Sequence, residues 1–331
     1  MNKRILGLGT FVVSFSFIFI IITSNSSENQ EWDFLKEPLP LKLRYKVGEI
    51  LHYRLYRHNN HFKMDGSNNG EFKALAYYTR TRLENDNQGK VREKFIWKSF
   101  MAGQSMVPNQ PAKMSYLKEA ENFSLTLSVE DEDVLSKLDF SSLPRTFEGL
   151  WFMIMLWDAI TFDGPVRPQE HFKFPDEDLI GTETHDTHGP WEWPIEYPPL
   201  VIDSKYFFSG KAYSRVIGVG LEKNIPCAIV EFPVSENRAL MNLHLKPVKV
   251  KANAFEHFWA KTYLSLEDGR IVKGELHGPT LIVHDIWMGD QKEPAHNEYF
   301  VMQMLDLDLL SAKEFDSLLK EQKEMISSKK K

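Results

Sequence analysis

Cysteine is nearly absent. Cys227 is the only one in 331 residues, so no internal disulfide can form and any stable core must come from packing. It sits in Cys227-Ala228-Ile229-Val230-Glu231-Phe232, a strand-like run in which a small thiol reads as a buried hydrophobe. No neighbouring motif supplies the base a thiol nucleophile needs. A strong charge of one sign is also missing. The formal net charge is −6 with 26% charged residues, which gives no long-range field to attract nucleic acid. No Gly-x-Ser-x-Gly elbow occurs. Gly218-Val219-Gly220 lacks both the third glycine and the following helix of a phosphate loop. No cofactor is expected, and the balance leans away from an enzyme.

What is present begins with the N-terminus. Lys3-Arg4 precedes an apolar run from Ile5 to Ile22, followed by Thr23-Ser24-Asn25-Ser26-Ser27. A basic start, an apolar stretch and small polar residues are the layout of a secretory signal. The run is also just long enough for an uncleaved anchor. Either way the remainder is expected outside the cytoplasm: periplasmic, extracellular, or anchored and facing outward. No cysteine follows the run, which excludes an N-terminal lipid of the bacterial lipoprotein kind.

The rest divides into a linker at 27–46, after a signal or anchor at 1–26, then a β-rich region at 47–145. A buried helix with a long loop rich in Pro and Trp follows at 146–204, a second β-rich region at 205–310, and a C-terminal helix with a basic tail at 311–331. The β assignment rests on period two. Leu51, Tyr53 and Leu55 alternate with polar neighbours. Val91, Phe95 and Trp97 oppose Lys90, Arg92, Lys94 and Lys98. Phe123, Leu125, Leu127 and Val129 alternate with Ser and Thr.

Phe147 to Ile160 is apolar on every side and, being rich in Met and Leu, predicts a fully buried helix. Asp163 to Asp203 holds seven prolines and reads as one long irregular stretch. In the second half Phe258, Ala260, Thr262, Leu264 and Leu266 share a face. Glu267-Asp268-Gly269-Arg270 predicts a hairpin with a primed turn, after which Val272 and Leu276 should return beside Leu264 and Leu266. Ser311 and Glu314 form a capping box, and Phe315, Leu318, Leu319, Met325 and Ile326 predict the apolar stripe of the last helix. The segment around Arg80-Thr81-Arg82-Leu83-Glu84 parallels that around Lys261 to Val272, as a diverged duplication or as two hairpins with like turns. The expected fold class is mainly β, with curved antiparallel sheet or sheets, a buried central helix and a C-terminal amphipathic helix.

Two groups of residues are candidate sites. Trp191, Trp193 and Tyr197 offer aromatic surface for a ligand; Leu264 and Leu266 would line a cavity if the sheet encloses one. Glu183, His185, Asp186 and His188 are metal-ligand types close in sequence, and a metal-dependent hydrolase is the alternative they raise. An ordinary polar loop is the plainer reading of that cluster. A structural or adhesion role at the cell surface is a third reading. The basic face of Lys90, Arg92, Lys94 and Lys98 could meet anionic lipid heads.

The run from Cys227 to Phe232, together with Lys261-Thr262-Tyr263-Leu264-Ser265-Leu266-Glu267-Asp268-Gly269-Arg270-Ile271-Val272-Lys273-Gly274-Glu275-Leu276, resembles exported half-barrel proteins of the lipoprotein-carrier (LolA-like) type. The resemblance covers about a quarter of the chain, and the long 163–203 stretch departs from it. It implies a curved antiparallel sheet that binds acyl chains on its inner side. The partner so implied is an apolar or lipid-like ligand, or a membrane surface.

Overall fold

The computed structural model describes residues 45–128, 143–144, 146–162, 185–187, 193–197, 201–245 and 247–328. They build one antiparallel sheet of twelve strands with two helices. The first strands are β1 (Ile50–Lys63), β2 (Asn68–Arg82), β3 (Arg92–Ser105), β4 (Ser115–Tyr116) and β5 (Ser124–Ser128). Helix α1 (Phe147–Thr161) follows, then the short β6 (His185–Thr187) and β7 (Trp193–Tyr197). The long strands are β8 (Val201–Glu222), β9 (Ile225–Leu245), β10 (Val248–Ser265), β11 (Ile271–Met288) and β12 (Ala295–Leu310). Helix α2 (Ala312–Ser328) ends the described chain.

The strand order β4-β3-β2-β1-β12-β11-β10-β9-β8-β6 is two meanders joined at their inner strands, with β5 on β3 and β7 on β8. The two β-rich regions therefore belong to a single sheet, sealed by β1 against β12 from His52–Leu310 to Lys63–Tyr299. The sheet is mostly-β architecture left open at both edges, with no closing pair among the described strands.

The sheet curves around α1. Thr146 caps the helix, its Oγ1 accepting from the Gly149 N–H at 3.3 Å. Phe152 meets Trp97, Phe100 and Phe123 of the β3 side edge-on, with ring centroids 5.2–5.6 Å apart. Ten residues later the Phe162 carbonyl accepts from Thr262 Oγ1 on β10. Ten helical residues rise about 15 Å, whereas five strand spacings on a flat sheet come to about 24 Å. Curvature of the sheet towards α1 shortens that span and brings both strands to one helix, with the α1 side concave. Gly274 on β11 makes room for the far end, since a Cβ there would stand 2.6 Å from the Phe162 ring. The all-round apolar sequence of α1 is explained by its position, with Phe152, Met153, Met155, Leu156 and Ala159 all buried.

The core under α1 is aromatic. Tyr53, Tyr78, Phe95 and Trp97 stack at 5.0–6.1 Å across β1, β2 and β3. Arg80 lies over the Phe95 ring at 4.7 Å and pairs with Glu93, both fully buried. Helix α2 covers the outer face at the same end. Its capping box is formed, Ser311 N–H to Glu314 Oε2 at 2.9 Å and Glu314 N–H to Ser311 Oγ at 3.3 Å. Phe315 packs on His52 and Tyr77. The stripe differs from expectation in one place: Gln322 is buried, seven residues on from Phe315, and Met325 is 56% exposed. A helix repeats its face after seven residues and not after ten.

Three further expectations are corrected. The Asp268-Gly269 hairpin is a four-residue loop closed by Ser265 N–H to the Arg270 carbonyl at 2.9 Å, with Gly269 as its one residue at positive φ. The primed two-residue turn lies instead at Lys223–Asn224, φ 51° and 63°, between Glu222 and Ile225. A register shift at Tyr263/Leu264 sets Ile271 opposite Leu264, so Ile271 joins the core cluster with Leu264, Leu266 and Leu276, and Val272 is buried outside it. The 163–203 stretch is not irregular throughout: β6, β7 and the start of β8 fall inside it.

Candidate functional site

The inward face changes character partway along the strands. On β1 burial alternates strictly, and the inward residues are Leu51, Tyr53 and Leu55, then Arg57, Asn59 and His61. The switch falls on two neighbouring inward rungs of the sheet, two residues apart where β12 meets β11. Asn59 opposes Gln303 on β12, Thr280 on β11 opposes Glu256 on β10, and Glu256 opposes Asn237 on β9. All are buried.

These side chains form a connected belt. Arg57 donates to Asp158 of α1 at 2.6 Å, to Asn59 Oδ1 at 3.3 Å and to Gln303 Oε1. The Gln303 amide donates to Thr280 Oγ1 and to Glu256 Oε1. The Asn237 amide donates to Glu256 Oε2 at 2.6 Å. Burial pushes the Asp158 carboxyl up from its ordinary value, and the Arg57 guanidinium opposes that shift. The pair ties the helix to β1. Removing one partner of a buried ion pair leaves the other charge stranded, which costs about 3–5 kcal/mol.

Beyond the belt the strands β9, β10 and β11 continue where β1 has ended. Lys63 of β1 is level with Tyr299, Ile282 and Ala254, and β10 runs another six residues to Val248, about 20 Å of overhang. The apolar inward residues there are Met241 and Leu243 on β9, Val250, Ala252 and Ala254 on β10, and Ile282 and Ile286 on β11, with His284 between the last two. All seven are half-buried. An apolar apron thus adjoins a fully buried polar belt on one concave surface. At their border His61, Tyr299 and His284 form a run of rings 5.5 and 5.1 Å apart. Burial lowers His61 to about 4 and raises Tyr299 to about 12, so at neutral pH both are uncharged. Asn237 Oδ1, His61 Nδ1 and His284 Nε2 are buried and have no hydrogen-bond partner among the described residues.

The residues singled out from sequence lie elsewhere. Leu264, at the opposite end of β10, and Leu266, just past it in the hairpin loop, are in the packed core, 0% and 5% exposed. Trp193 and Tyr197 are on β7, opposite Tyr206 and Val201 of β8; Trp191 lies outside the described residues. His185 and Asp186 belong to β6, paired with Ser214 and Tyr213, whereas Glu183 and His188 lie outside the described residues. Among the described residues no three His, Cys, Asp or Glu are placed to hold a metal ion. The basic residues Lys90, Arg92, Lys94 and Lys98 are half-buried. The N-terminal apolar run lies outside the described residues.

The belt was missed because its residues look ordinary one strand at a time. Its signal is a polar residue at inward parity in each of five strands: Asn237, Glu256, Thr280, Gln303, and Arg57 with Asn59. Seeing it requires the register between strands that are far apart in sequence.

No family model matches the sequence, and no curated protein matches it. Among solved structures, the chain is similar to OmpT, an in-vitro folded outer membrane protein of Vibrio cholerae in its trimer form. That match spans 80% of this chain and 100% of that one at 8% identity, with a TM-score of 0.16, a level that carries no argument about fold or function.

Proposed function

We propose that this is an exported, non-enzymatic protein that binds an amphipathic, lipid-like ligand on the concave face of its sheet. One observation carries the reading: a half-buried apolar apron continues directly from a buried, hydrogen-bonded polar belt. Binding sites for amphiphiles are concave and mostly apolar, with a few placed polar groups. The half-barrel resemblance in the second half points the same way, and so does the signal-like N-terminus.

The reading is tested by mass spectrometry of what the native protein carries through purification. Stoichiometric lipid on the wild type, reduced in Val250→Asp with the melting curve unchanged, is the expected result. A protein carrying nothing, and indifferent to that substitution when offered lipid, would overturn it. Export is tested by deleting residues 1–26, which should leave the chain in the cytoplasm.

A further inference from the structure

Resting on that reading, we infer that the ligand's head carries a hydroxyl donor and no charge, as a monoacylglycerol head does, and that Asn237 receives it. Asn237 is 1% exposed, and its amide N–H is already committed to Glu256. Its Oδ1 is an acceptor without a donor. A buried acceptor left unmade is costly, so a group that supplies a donor there is favoured over one that does not. Asn237 shares its face with Ala239 and Met241, the next two inward residues of β9, so a head bonded to Oδ1 has its chain directed along the apron.

The donor inventory decides the class. An ionised carboxylate or a plain ester offers acceptors only, and neither can satisfy Oδ1. A hydroxyl donates to Oδ1 and can still accept. At the other margin of the belt the unpartnered atom is His61 Nδ1, on a neutral ring that presents either a donor or an acceptor according to tautomer. A hydroxyl fits both cases, an ammonium only one. Among the described side chains the one cation of the belt is Arg57, already engaged by Asp158 and Gln303, so the belt itself offers an anionic head no uncommitted counter-charge.

The experiment offers the purified full chain an equimolar mixture of monolaurin, laurate and methyl laurate, and reads the bound masses by native mass spectrometry. Monolaurin should exceed each of the others at least tenfold. Asn237→Leu should remove that preference and bring monolaurin down to the level of the methyl ester. The wild-type comparison stands without the variant, so a misfolded Asn237→Leu does not spare the inference. Equal retention of all three sinks the head-group assignment and leaves the ligand-binding reading in place. Retention of none sinks both. A preference that survives in folded Asn237→Leu removes Asn237 from the account.

Discussion

The two halves of the sheet treat their faces differently. In the first, β1, β2 and β3 are 14 or 15 residues long, and both faces are covered at one end, by α1 inside and α2 outside. In the second, β8 to β11 run to 18–22 residues. The far ends of β9, β10 and β11 pass beyond the last β1 pair into the half-buried apron. Short strands under a helix make a packed core; long strands that outrun their neighbours leave a concave apolar surface. Stability should therefore be concentrated in the first arrangement and binding in the second.

The largest expected effect tests that division directly. Trp97 is fully buried between Tyr78, Phe95 and Phe152, and Trp97→Ala should cost about 3–5 kcal/mol in urea unfolding. Ile286→Ala on the apron should cost about 1 kcal/mol or less, because the side chain is already half in water. Equal losses would mean that the apron is as packed as the aromatic core, and the contrast would collapse.

The next effect concerns the tie between α1 and β1. Arg57→Met should cost about 3–5 kcal/mol, since Asp158 is then left buried without its guanidinium. Adding Asp158→Leu should recover a large part of that loss. If the double variant were as unstable as the sum of the singles, the pair would not be acting as a unit.

How far this arrangement was legible in the sequence depends on the range of the interaction. β1, β3 and β10 followed from alternation, and α1 from an apolar run with no polar face. Asp86 accepts from the Gln88 and Lys90 N–H groups around Gly89, and Asp268 from the Arg270 N–H after Gly269, with both glycines at positive φ, so the two hairpins share this turn chemistry. β11 is continuous through Gly278-Pro279. The ladder to β10 skips from Glu256–Thr280 to Trp259–His277, and such an irregularity tolerates a residue without an N–H. Nothing local announces that β1 pairs with β12 across more than two hundred residues, and the polar belt exists only through that pairing.

A third effect is one of pH. The folded value of His61, about 4, lies below the ordinary 6.5, so the unfolded chain binds this proton more readily. The stability that depends on a neutral His61 is fully present above about pH 6.5. It falls away as the pH drops from there to about 4, by up to about 3 kcal/mol. His61→Phe should flatten the stability profile in that window. Glu71, held at about 2, loses its contribution only below its ordinary 4.5, so the two slopes are separable. A profile unchanged by His61→Phe would show that the border between belt and apron is wetter than its burial implies.

The smallest expected effect lies on the convex face. Helix α2 covers Tyr77 and His52 there, whereas Trp259 on β10, opposite His277, and Met304 on β12, also opposite His277, are 40% and 37% exposed. A residue that keeps so much of its surface in water gains little from folding. Trp259→Ser should change stability by no more than about 0.5–1 kcal/mol, mostly through the lower strand preference of serine. Phe315→Ala, which opens the cover over Tyr77, should cost about 3–5 kcal/mol. Urea unfolding of the two variants side by side measures the difference. If Trp259→Ser matched Phe315→Ala, the outer face of the second half would be covered as fully as that of the first, and the asymmetry between them would rest on the concave side alone.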